Sequence, residues 1–134
     1  MTEQSLKTLI KRLDAIFSKF IRLRDSDSKG ICKCITCNTP HHWTKLDNGH
    51  YIKRQYMSTR FNEFNCNSQC RKCNWLEQGA NELYREALIK KYGQEIHDQL
   101  LIQKYSTKKW SRFELELLIK EYSERVKVME SQKK

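Results

Sequence analysis

Cys34-Ile-Thr-Cys37 and Cys70-Arg-Lys-Cys73 are two Cys-x-x-Cys pairs that frame the middle of the chain. Each such turn presents two thiolates from one tight bend, and two turns together supply the four soft ligands that structural zinc takes at tetrahedral angles. In a chain with no sign of secretion the spacing points to metal before a disulfide framework or a redox dithiol. Two further cysteines have other readings. Cys32 forms Cys-x-Cys with Cys34 and could stand in for a ligand, while Cys66 reads as a packing residue, since a free cysteine behaves as a small hydrophobe. His41 and His42 read as surface residues near the zinc, either of them able to replace a cysteine.

Inside and just after that frame lie residues suited to phosphodiester hydrolysis. Such a reaction needs a base to take a proton from water and a divalent cation to neutralise the phosphate and the departing oxyanion. His50 is the candidate base. Asn74, directly after the second cysteine pair, offers an amide oxygen as a hard ligand for magnesium or manganese, and Asp47 is the carboxylate nearest His50. Asn65 is a candidate to hold the imidazole. Each has a plainer reading: His50 as a local hydrogen-bonding residue, Asn65 as a turn cap, Asn74 as the N-cap of a following helix. Asp47 stands three residues before His50, so in a regular strand it faces away from it, and a bulge at Asn48-Gly49 would be needed to bring both to one side.

The elements that must position these residues can be read from periodicity. Leu6, Leu9, Ile10, Leu13, Ile16, Phe17, Phe20 and Ile21 fall on one face of an amphipathic helix that ends near Arg24, before the turn-rich Asp25-Ser-Asp-Ser-Lys-Gly30. Its stripe is wide enough to pack on the domain's own core or to suggest a homodimer. Between Cys32 and Cys73, Asn-Thr-Pro and Asp-Asn-Gly break the chain into loops and a hairpin around His50. Helical periodicity resumes at Leu83, Tyr84, Ala87, Leu88 and Tyr92 and stops at Gly93. A short helix with Ile96, Leu100 and Leu101 follows. Ser111-Arg-Phe-Glu114 fits a capping box opening a last helix, from about Arg112 to Met129, with Phe113, Leu117, Leu118, Tyr122 and Val126 turned to the core or to a second subunit.

At 134 residues, one domain is expected: 1–29 as helix and turn, 30–80 as the zinc-bound core, 81–130 as a helical extension. Lys and Arg number 26 against 16 Asp and Glu, a formal charge of +10 that calls for a polyanionic partner, with nucleic acid first among candidates. Lys53, Arg54, Arg60, Arg71 and Lys72 are the candidate phosphate contacts. Trp43, Tyr51, Tyr56 and Trp75 are either core aromatics or platforms for unpaired bases. No apolar run approaches a membrane span, and Met1-Thr-Glu-Gln-Ser-Leu does not resemble a signal peptide. A cytoplasmic location is expected, in a bacterial or phage-infected cell.

At Cys34, Cys37, His50, Asn65, Cys70, Cys73 and Asn74 the chain resembles the HNH, or ββα-metal, nucleases, above all their zinc-bearing endonuclease VII-like branch. A closer likeness is to the NinG family of phage recombination proteins, also called Rap. It rests on Phe20-Ile-Arg-Leu-Arg-Asp25, Asp47-Asn-Gly-His-Tyr51, Arg60-Phe-Asn-Glu63, Gln69-Cys-Arg-Lys-Cys-Asn74, Gly79, Tyr84-Arg85 and Gly93-Gln-Glu95. The likeness implies an α+β fold, with a small zinc-bound, treble-clef-like ββα-metal core flanked by N- and C-terminal helices. It implies a DNA endonuclease acting on branched recombination intermediates such as Holliday junctions and D-loops, with structural zinc and a catalytic magnesium or manganese ion. One departure stands out: many HNH nucleases carry an acidic or histidine ligand just before the base, where this chain has Gly49. The alternative is a zinc-dependent nucleic-acid-binding module that cuts nothing, and a further one is an interaction protein whose outer helices pair with another chain.

Overall fold

In the computed structural model, residues 4–77 and 80–133 are described; Gly79, one of the positions matched in the resemblance, lies outside them. The first helix, α1 (Leu6–Asp25), starts where Ser5 Oγ accepts the Thr8 amide at 3.1 Å. It stops where Ser26 and Asp27 take over, the Asp27 carboxylate accepting the Lys29 and Ile31 amides at 2.9 Å each. Its buried face is Leu9, Leu13, Phe17, Phe20, Ile21 and Leu23. That face packs on the last helix, α4 (Arg112–Gln132), through Leu115, Ile119, Tyr122 and Val126. Tyr122 sits edge-on to Phe17 with centroids 5.0 Å apart and tilted to Phe20 at 4.9 Å. The stripe that suggested a dimer is thus occupied within the chain.

The capping box of α4 is present as expected: Glu114 N donates to Ser111 Oγ and Ser111 N to Glu114 Oε1, both at 3.1 Å. The buried face of the helix differs from the one the sequence suggests. Phe113 is 74% exposed and Leu117 53%, whereas Leu115 and Ile119 are buried. Tyr122 and Val126 fix the true stripe, because Leu115 and Ile119 lie seven residues before them at helical spacing, and Phe113 and Leu117 fall nearly half a turn away, on the opposite face.

Four short strands form two ribbons. β1 (Ile31–Lys33) pairs antiparallel with β2 (Pro40–His42), closed by the turn that carries Cys34 and Cys37. β3 (Leu46–His50) pairs antiparallel with β4 (Cys66–Cys70), from Leu46 opposite Cys70 to His50 opposite Cys66. Asp47-Asn-Gly49 is therefore strand, not the turn its composition suggests. Packing makes the difference: a Cβ at Gly49 would lie 2.2 Å from Gln69 Oε1, so the strand needs glycine there for close approach, and Tyr84 donates its hydroxyl to the Gly49 carbonyl at 2.6 Å. The register is continuous, without the bulge that would turn Asp47 and His50 to one face.

After β4 the chain makes a π-helical turn, Lys72–Leu76, followed by α2 (Asn81–Tyr92) and α3 (Gln94–Lys104), which meet at Gly93 with φ 99°. Tyr84, Leu88 and Leu100 from these helices bury Ile52, and so hold the start of the loop between β3 and β4. The fold is mixed α+β, and among the described residues no helix is long and apolar enough to cross a membrane.

Candidate metal and phosphodiester site

Cys34 and Cys37 occupy a tight turn in which Asn38 N donates to the Cys34 carbonyl at 2.9 Å and Asn38 takes φ 61°. Ile35 N donates to the Ser68 carbonyl at 2.9 Å, which ties this turn to β4. Cys70 ends β4 and Cys73 lies in the π-helical turn. The four sulfurs all lie within 4.8 Å of one another, and Cys37 Sγ is 3.7 Å from Cys70 Sγ. Sulfurs about 2.3 Å from a tetrahedral zinc are about 3.8 Å apart, so this donor set could hold a zinc ion with little rearrangement. Burial would raise the Cys37 thiol, but hydrogen bonds from Thr39 prevail and bring it down to about 6. Burial pushes Cys73 up to about 12 and raises Cys70.

The two other cysteines lie outside this cluster. Cys32 is buried in β1, its thiol donating to the Lys33 carbonyl at 3.3 Å and pushed up to about 11 by burial. Cys66 is fully buried in the core between α1 and α4, as a packing residue would be. His42 Nδ1 is 2.8 Å from Thr44 Oγ1, and neither it nor His41 joins the cysteines.

A cavity of about 780 Å³ is lined by Asp47, Asn48 and His50 from β3, Arg71, Asn74 and Trp75 from the turn, Lys53, Arg54 and Gln55 from the loop, and Asp14, Ser18 and Arg22 from α1. Asp47 and His50 stand three residues apart in a regular strand and alternate in facing, yet both line this space. Asn74 Nδ2 donates to Asp47 Oδ2 at 3.2 Å, and Arg71 lies 3.8 Å from the same carboxylate. Asn74 caps nothing: Ala80 occupies the N-cap of α2. Asn48 Oδ1 is buried on this wall with no hydrogen-bond partner.

His50 Nε2 lies 2.9 Å from the Arg60 carbonyl. A carbonyl only accepts, so Nε2 carries the proton and Nδ1 is the acceptor of the neutral ring. Burial lowers the His50 pKa to about 4, which keeps the ring neutral at neutral pH.

Two of the expected roles are corrected. Asn65 does not hold the imidazole. Its fully buried side chain accepts from Ile52 N at 2.7 Å and donates to the carbonyls of Ile52 and Thr59 at 2.9 and 3.1 Å, stapling the loop that carries Arg60. Arg60 is not turned out to a phosphate: it forms a two-point ion pair with Asp14 and donates from Nη1 to the Arg54 carbonyl at 3.2 Å. Of the other basic candidates, Lys53, Arg54 and Arg71 line the cavity, whereas Lys72 lies outside it, 4.0 Å from Glu77.

Among the aromatics, Tyr51 is committed to Tyr84 and to His97, its hydroxyl 2.9 Å from Nε2. Trp43 lies under Arg22, Tyr56 under Lys104, and Trp75, 66% exposed, stands at the cavity mouth. Asp14, Ser18 and Arg22 are the residues that sequence reasoning missed. Their signal was a polar ridge at i, i+4 and i+8 beside the apolar stripe of α1.

The family model described as Bacteriophage Lambda NinG protein matches residues 2–132. This chain belongs to the NinG family. It is 33% identical over 119 residues to protein ninG of Escherichia phage lambda, covering 88% of this chain and 55% of that protein. To protein ninG of Escherichia phage 933W it is 31% identical, and to that of Salmonella phage P22 30%, each covering 88% of this chain and 56% of the relative. The chain thus spans about half the length of these NinG relatives. No solved structure matches it.

Proposed function

We propose that this member of the NinG family is a metal-dependent DNA endonuclease of the HNH type, with a zinc-stapled ββα-metal core, acting on branched recombination intermediates such as Holliday junctions or D-loops. The observation that carries the reading is the shared cavity: a neutral histidine with a defined acceptor nitrogen, an Asp47–Asn74 pair of oxygen-bearing side chains, and the cations Arg22, Arg54 and Arg71 open on one space.

His50 Nδ1 takes the proton from the attacking water, and the Nε2–H bond to the Arg60 carbonyl stabilises the imidazolium that results. Asp47 and Asn74 would hold the divalent ion, a sparse set that suits magnesium, which keeps several waters and shares its remaining positions with substrate phosphate. When bound, that ion supplies Lewis-acid stabilisation of the phosphate and the leaving 3′ oxygen. Arg54 and Arg71 hold the phosphodiester by charge, and Arg22 adds a third cation from α1. In the described residues the four cysteines are the only set of three or more Cys, His, Asp or Glu ligands that could hold a metal; zinc there fixes the knuckle, β4 and the Asn74 turn in one frame.

The test is cleavage of a synthetic four-way junction in magnesium or manganese by the zinc-loaded chain. Wild type should cut, and His50→Ala should lose at least about 100-fold in rate, the usual contribution of a general base, while still binding the junction. A wild type that binds junctions and leaves every strand intact in both ions overturns the nuclease reading in favour of a binding module.

A further inference from the structure

Arg60 is anchored twice. Its guanidinium meets the Asp14 carboxylate at two points, Nε to Oδ1 at 2.9 Å and Nη2 to Oδ2, and its main-chain carbonyl accepts the His50 Nε2 proton at 2.9 Å. Both side chains of the ion pair are less than one-fifth exposed, at 17% and 18%. Asp14 belongs to α1 and is flanked on its own helix by Leu13 and Phe17, which are buried in the core, so the anchor sits on a packed element.

The element that needs anchoring is the loop joining β3 to β4. A loop carbonyl can turn away by a small change of backbone angles, and a neutral imidazole that loses its acceptor can exchange tautomers. Asn65 grips this loop at residues 52 and 59. Asp14, from α1, grips it at residue 60 through the fork geometry by which arginine and carboxylate fix each other in direction as well as distance.

We propose that Asp14 is a positioning residue for His50, acting through Arg60: the ion pair fixes the residue-60 carbonyl, and that carbonyl fixes the imidazole as the Nε2–H tautomer with Nδ1 free to accept a proton. The inference rests on the reading of His50 as general base. It assigns α1, outside the zinc-bound core, a direct part in setting the catalytic tautomer. The charge of Asp14 also acts on His50 itself, favouring the protonated ring against the stronger effect of burial. An imidazole that must accept a proton during turnover is helped by a neighbouring negative charge.

The experiment uses the zinc-loaded full chain with Asp14→Asn, Arg60→Gln and the double variant. Two readouts are taken: imidazole nitrogen chemical shifts without DNA, and kcat and KM for junction cleavage in magnesium. Asp14→Asn should move the His50 shifts from a single Nε2–H tautomer toward a mixture. It should lower kcat about 10- to 100-fold, the usual range for partners one step removed from the reacting groups. KM and junction affinity should stay within about twofold, because uniform binding is untouched. Arg60→Gln should do the same, and the double variant should be no worse than the worse single one.

Where Asp14→Asn loses its dispersed amide spectrum, Arg60→Lys, which keeps the charge and loses the fork, takes its place with the same expected shifts. An unchanged tautomer with unchanged kcat overturns the proposal. So does an Arg60→Gln whose loss lies in KM and salt dependence alone, the signature of a direct phosphate contact. If wild type cuts no DNA at all, the general-base reading fails, and the nitrogen shifts still decide whether Asp14 sets the tautomer.

Discussion

Burial of His50 has a consequence for pH. In an unfolded chain the imidazole takes up a proton near its usual value of 6.5, whereas in the fold it resists until about 4. Between those values the unfolded state binds more protons, so the contribution of His50 to stability is complete above about 6.5 and is lost as pH falls toward 4. Urea midpoints measured at pH 7 and pH 4.5 should therefore fall further in wild type than in His50→Gln, which has no proton to gain. Asn65 belongs to the same scale. Asn65→Ala leaves a buried amide and two buried carbonyls without their partners, and should cost at least about 3 kcal/mol by denaturant unfolding, at roughly 1–3 kcal/mol for each stranded group. The types of His50, Asn65 and Asn74 were legible in the sequence, but the partner of His50 was not. That partner is a main-chain carbonyl, and a carbonyl has no residue type for a sequence to reveal.

Helices were read well where one face carried all the large apolar side chains. In α1 the stripe from Leu9 to Ile21 is unambiguous, and Leu13→Ala should destabilise by about 2–5 kcal/mol, the range for deleting a buried leucine. In α4 two apolar faces compete, Phe113–Leu117 and Leu115–Ile119, and only the partner surface decides between them. Phe113→Ala should accordingly shift stability by no more than about 0.5 kcal/mol, as expected for an exposed site, whereas Ile119→Ala should behave as a core deletion; thermal melts of the two variants check the face. The strand β3 was obscured for a related reason. Asp-Asn-Gly has strong turn propensity in isolation, and the pull of Gln69, Tyr84 and the pairing with β4 outweighs it.

Across the whole molecule, the parts that meet at the cavity come from distant stretches of chain: α1, β3, its following loop and the turn after Cys70. The cysteine cluster ties one of these stretches, the turn after Cys70, to the Cys34–Cys37 knuckle, and among the described residues the buried cluster around it is Leu46 with the thiols of Cys32, Cys34, Cys70 and Cys73. Removing metal with a strong chelator should therefore unfold the middle of the chain while α1 and α4 retain helicity, giving a partial loss of far-ultraviolet circular dichroism together with loss of junction binding. The net charge of +10 acts at this scale too. Binding should weaken steeply with salt, and Arg54→Ala and Arg71→Ala should each reduce the slope of log affinity against log salt by about one, uniformly across DNA sequences. The composition made the sign of the net charge legible; it could not reveal that Arg60 is spent on Asp14, because ion pairs between α1 and a loop depend on a tertiary approach.

Gly49 limits how such a site can change. An engineer seeking a stronger divalent-ion site would first place an acid immediately before His50. Here the new side chain would start 2.2 Å from Gln69 Oε1 and 2.8 Å from Gln69 Cβ, and it would have to displace that side chain before it reached any ion. The strand is closed to that route, and added ligand charge has to arrive from a neighbouring element. The polar ridge of α1 has side chains already in the cavity, so a mutational path toward tighter metal binding runs through a position such as Ser18 and not through the residue beside the histidine.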